Sequence, residues 1–161
     1  MIQQLNAADP ALKLDQEQTI LKWTAPLSLE EAEQLLQNKK IIEAIAAFNR
    51  VEQMDSNVIS ADSWNKLCRQ GALGGHPSQV LDACEKAVTT ATAELRWWYQ
   101  DNRGLARALT GNSQDAIEDF EFYIQKTDNE QHKKQRQAWV QALRAGHNPF
   151  TKEELATLKN Q

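Results

Sequence analysis

The chain predicts an all-α fold, a right-handed α-solenoid of about three helical hairpins with C-terminal capping helices. Three observations carry this. Residues of like size recur at a spacing of about 36 residues. Within each unit the apolar residues follow helical spacing. No stretch alternates apolar and polar residues as a half-buried strand would.

The repeat columns are specific. Ala32, Cys68 and Gly104 form one column of small residues, and Ala44, Val80 and Ala116 a second. Ile45, Leu81 and Ile117 are aliphatic; Leu36, Ala72 and Ala108 align in the first helices. Phe48, Cys84 and Phe120 make a further column, then Val51, Ala87 and Tyr123. Small side chains let two helices approach closely, and large ones fill the gap to the next hairpin.

Along the chain, residues 1–27 form an N-terminal segment, the remnant of a further repeat. In it Asp15-x-x-Gln18 caps a short helix through Trp23, and Pro26 separates that helix from the first hairpin. Ser28-x-x-Glu31 is a capping box that starts the first hairpin. Helices are expected at 28–38, 41–54, 60–73, 78–91, 95–110 and 113–127, so three hairpins cover 28–129. Pro77 suits a first helical turn, where its missing N–H is no loss. Residues 130–161 hold a capping helix over 130–145, ended by Gly146, and a short terminal helix begun by Thr151-x-x-Glu154.

Composition narrows the function. The 161 residues suffice for one domain; 41% are apolar and 25% charged, with 6 Gly and 4 Pro. A net charge of −4 does not suggest a nucleic-acid partner. No apolar run reaches the roughly 18–20 residues of a membrane helix, and the first residues lack the basic-then-apolar order of a signal peptide. Two cysteines do not make a disulfide framework, and cytoplasmic residence is the expectation.

The columns resemble the tetratricopeptide repeat (TPR) family. Trp64-x-x-Leu67-Cys68 matches the opening of its first helix, and Gly104, Ala116 and Phe120 match the middle of a unit. Ala32, Ala44, Phe48 and Ala87 fit as well. The spacing departs from that family's period of about 34, and the Pro that closes each of its repeats is absent. Asp101 to Gly111, Ala116 to Phe120 and Ala142 to Thr151 are similar to the C-terminal TPR region of cyanobacterial multidomain proteins with WD40, NTPase or caspase-like modules. That resemblance implies an interaction module, with any catalysis outside these residues.

Candidate chemistry is sparse. Cys68 and Cys84 face each other across one hairpin, which brings their sulfurs close. A redox pair or half a metal site is one reading; with no acid or His beside them, two small buried apolar side chains is the favoured one. His76, His132 and His147 lack ligand spacing, so no metal or cofactor is expected. Glu118, Asp119 and Glu121 lack a cleft, and no Ser elbow, phosphate loop or HExxH helix occurs, so no enzyme is expected. Lys133, Lys134 and Arg136 read as a solvating face of the capping helix.

Trp97-Trp98-Tyr99 cannot all face one side of a helix, so one aromatic is expected at the surface, or, with Trp97 and Tyr99 in the core, Trp98 lies under residues 1–27. In a curved stack the first helices line the concave face. That face should present Asp62, Asn65, Arg69, Trp98, Asp101, Asn102 and Leu105 to a protein or peptide partner. The family's carboxylate clamp is not reproduced: its columns read Leu29, Asn65, Asp101 and Glu33, Arg69, Leu105. The alternative is a structural module that self-assembles into a homo-oligomer through exposed end hairpins, or a regulatory domain excised from a larger multidomain protein.

Overall fold

The computed structural model describes residues 10–160, with side chains from Gln16 onward. Among them are eight α-helices, packed consecutively antiparallel. They are α1 (Pro10–Gln37), α2 (Ile41–Asp55), α3 (Ala61–Leu73), α4 (Leu81–Thr90), α5 (Ala93–Leu109), α6 (Ser113–Lys126), α7 (Glu130–Arg144) and α8 (Lys152–Lys159). Short 3-10 turns at Ser56–Val58 and Pro77–Gln79 precede α3 and α4. The second of these shortens α4 at its start relative to the expected 78–91.

Local chemistry explains the boundaries. The side chains of Ser60, Asn112, Asn129 and Thr151 accept the amides of Ser63, Asp115, His132 and Glu154, which the first turn of a helix leaves unpaired. The turns after α5 and α7 use Gly111 and Gly146 at φ 86° and 75°, a left-handed conformation that glycine adopts without steric penalty.

One boundary differs from expectation. Pro26 does not separate two elements: it lies inside α1, which runs unbroken through Ser28 and Glu31. The proline ring removes one intrahelical bond but leaves its own φ helical. Good helix formers on both sides carry the helix across, and Ala25, Ala32 and Leu36 anchor it on its buried side. Residues 1–9 of the N-terminal segment lie outside the described residues.

Two apolar clusters fill the interior. The first joins α1 to α4, with Phe48 and Trp64 in tilted contact at 5.7 Å, and takes Tyr99 and Ala106 from α5. The second joins α5 to α8 through Phe120, Trp139 and Phe150, whose ring centroids lie 5.0 to 6.3 Å apart. Within the first cluster Cys68 and Cys84 are wholly buried and form a disulfide between α3 and α4. The repeat register predicts two buried apolar side chains here; the burial holds, but the sulfurs are bonded.

The close approach of α5 and α6 is at Gly104. A Cβ there would stand 3.0 Å from Asp119 Cβ and 3.0 Å from Phe120 Cε1. Gly104→Leu should therefore push α5 off α6 and lower stability by about 1–3 kcal/mol or more. Urea unfolding measures this, and a variant as stable as the parent would mean that α5 and α6 do not meet at Gly104.

Candidate functional site

The side chains expected to line a partner surface are drawn together, but most are used within the chain. On α3, Asn65 is buried and its Oδ1 accepts from Asn102 Nδ2 on α5 at 2.9 Å. Asn102 Oδ1 accepts from Arg69 Nη1 at 3.2 Å. Arg69 Nη2 donates to the carbonyl of Leu158, on α8, at 2.9 Å. Burial pushes the Arg69 guanidinium below its ordinary pKa; nearby Asp101 opposes this and Arg136 adds to it.

Asp101 on α5 is also buried. Its two oxygens accept from Arg136 Nε at 3.0 Å and Nη2 at 2.6 Å. The Arg136 guanidinium lies 5.1 Å from the Tyr123 ring centroid and 4.6 Å from that of Trp139. Burial disfavours its charge, yet the Asp101 hydrogen bonds and charge outweigh that and hold its pKa above the ordinary value. Its place among lysines predicts a solvated basic face for Arg136. The correction is physical: α7 turns this one residue inward, onto the carboxylate of α5.

Leu105 is buried in the apolar cluster that includes Leu73 and Leu158. Asp62 remains half-exposed, paired with Lys66 at 2.7 Å. Trp98 is 45% exposed, packed edge-on against Trp97 at 5.9 Å and near Tyr123 at 6.1 Å. So Asn65, Asp101, Asn102 and Leu105 are not open, Arg69 is engaged, and only Asp62 and Trp98 offer free surface.

α8 closes the part of this face around Arg69 and Leu105, while Arg136 of α7 covers Asp101. Leu158 is fully buried, and Leu155 packs against the same cluster. Glu154 Oε1 takes the Trp139 indole N–H at 3.0 Å and the Gln135 amide at 2.8 Å, both from α7. The sequence shows where α8 starts. It shows nothing of where α8 docks, because the seven residues 145–151 that join it to α7 do not by their sequence fix its direction.

A second polar cluster centres on Asp119, which the sequence shows only as one of three neighbouring carboxylates, and draws in Arg103, Arg107 and Glu85, which spacing does not single out. Asp119 on α6 is buried beneath α5, accepting from Arg103 Nε and Nη2 at 3.0 and 2.6 Å and from Arg107 Nη1 at 2.8 Å. Both arginines also reach Glu85 on α4. This is a tie between three helices, with its arginines fully engaged by carboxylates.

Open clefts occur between α6 and α7, where Glu121 and Arg144 pair at 2.5 Å, and between α2, α3 and α4 beside Trp64. Among the described residues, no group of His, Cys, Asp or Glu is placed to hold a metal ion, and no helix is long and apolar enough to cross a membrane. No family model, curated protein or solved structure matches the chain.

Proposed function

We propose that the chain is a protein-recognition module, a right-handed solenoid of TPR-like hairpins that holds a helix of a partner protein across its concave face. The observation that supports this reading is α8. Eight residues are too few to stay helical alone in water, so the surface beneath must hold them. That surface grips one buried leucine, Leu158, and one carboxylate four residues earlier, Glu154. It also takes a terminal carbonyl through Arg69. A partner helix with an acid-x-x-x-Leu pattern near its C-terminal end would make the same contacts. In this reading α8 is the resident occupant, and the partner replaces it. No catalytic, cofactor or nucleic-acid role is proposed.

The test is a labelled peptide with the sequence of residues 148–159, titrated against the full chain and its Leu158→Ala variant. The tethered α8 competes at an effective concentration in the millimolar range, so the parent should bind the peptide weakly. Releasing α8 should tighten binding by tenfold or more, and adding Arg69→Ala should reverse the gain. A folded Leu158→Ala variant that binds no peptide would exclude the groove as a helix receptor.

A second reading concerns location. The Cys68–Cys84 bond speaks for an oxidising compartment rather than the expected cytoplasm, where thiols are kept reduced. Alkylation and intact mass of protein taken from its native cells decide this. Two alkylated cysteines would return the proposal to the cytoplasm.

A further inference from the structure

The helix α1 has two apolar faces. One carries Ala25, Ala32 and Leu36, all buried. The other carries Ile20, Trp23 and Leu27, which are 61%, 79% and 70% exposed. At about 100° per residue, the second stripe points away from the first by roughly half a turn. Every described side chain from Gln16 to Thr24 is exposed, so this part of α1 is an arm with no described element packed on it. An isolated helix of this length is marginal in water, and Trp23 is among the residue types that dominate interface energetics.

We propose that this stripe is a self-association surface, on which the α1 arm of a second copy of this chain packs antiparallel. The occupant is inferred from self-complementarity. A two-fold axis between Trp23 and Thr24 sets Ile20 of each copy against Leu27 of the other and brings the two indoles side by side. Between Ile20 and Leu27 the one charged residue is Lys22, which lies off the stripe, so the two apolar strips meet without a charge at the centre of the contact. The area fits as well. The three side chains expose roughly 450 Å² per copy, so pairing removes roughly 900 Å². That is the size of a weak, concentration-dependent association, below the about 1,200–2,000 Å² of a stable interface. This surface lies on α1, apart from the face that α8 covers, and stands or falls independently of the helix-recognition reading.

Sedimentation equilibrium of the full chain, from low micromolar to several hundred micromolar, tests it. The mass should rise from 18.3 kDa toward twice that value. Trp23→Glu should weaken the association at least about a hundredfold, since each dimer loses two anchors. Trp98→Ala, which removes the other exposed indole, should leave it unchanged. Circular dichroism checks that the variants fold, and Leu27→Glu replaces Trp23→Glu if that variant does not. A chain that stays at monomer mass throughout would overturn the proposal. So would a dimer that ignores both α1 substitutions.

Discussion

Asp101→Ala should lower stability by roughly 3–5 kcal/mol, the usual consequence of stripping one partner from a buried ion pair. Both members are almost fully shielded, and the two hydrogen bonds between them join α5 to α7. With the carboxylate gone, Arg136 keeps its aromatic neighbours and its bond to Gln135 but has no counter-charge. For a chain of this length the midpoint of thermal unfolding should fall by about 6–20 °C. The double variant Asp101→Leu with Arg136→Met should recover much of the loss, because apolar residues of similar volume often replace a buried pair without penalty. Calorimetry of the single and double variants gives the coupling directly. If Asp101→Ala kept full stability and lost only partner binding, Asp101 would be the open contact residue that the repeat register expects.

Removing the disulfide should have the next largest effect. Cys68 and Cys84 are 16 residues apart in sequence, and closing a loop of that size restrains the unfolded chain by about 3 kcal/mol. Cys68→Ala with Cys84→Ala should therefore lower the urea midpoint clearly, with alanine avoiding the unpaired buried hydroxyls that serine would introduce. Both sulfurs are wholly buried, so reductant should act slowly on the folded chain and faster as urea opens the α3–α4 hairpin. Reduced protein, verified by mass, that unfolds at the same urea concentration as the oxidised form would show that the bond adds nothing.

How far the sequence could be read depends on the range of the interaction. The starts of α3, α6, α7 and α8 rest on local signals, since Ser60, Asn112, Asn129 and Thr151 cap within three residues, and Gly111 and Gly146 end helices where their φ requires it; α2, α4 and α5 have no side-chain cap and are legible by apolar spacing alone. The close approach at Gly104 is legible too, since a column of small residues implies near contact. Pro26 misleads because a breaker and a capping box stand together, and only the surrounding packing decides between a gap and a continuous helix. The candidate site is legible as a set of neighbours but not as a surface. Repeat register tells which way Asn65, Asp101 and Asn102 point; it cannot tell that Asn65 and Asn102 bond each other or that α7 brings Arg136 onto Asp101. Arg136 sits in a lysine-rich stretch, and its partner is 35 residues away. Ile20, Trp23 and Leu27 recur at helical spacing in the sequence, yet which face they occupy becomes apparent only once α1 is known to be continuous.

The bond from Arg69 to the Leu158 carbonyl joins residues 89 positions apart. The other ties reach less far: helices pack chiefly on the next element along the chain, with α3–α5 and α5–α7 as next-but-one contacts, which favours rapid folding from neighbouring pairs. α8 must wait until both α3 and α7 are in place before it has anything to dock on. It should thus be the last helix to acquire its protection from amide exchange and the first to lose it. A ribosome would have to release everything through α8 before that final contact could form. During synthesis, the face that α8 later covers is open to whatever helix arrives first.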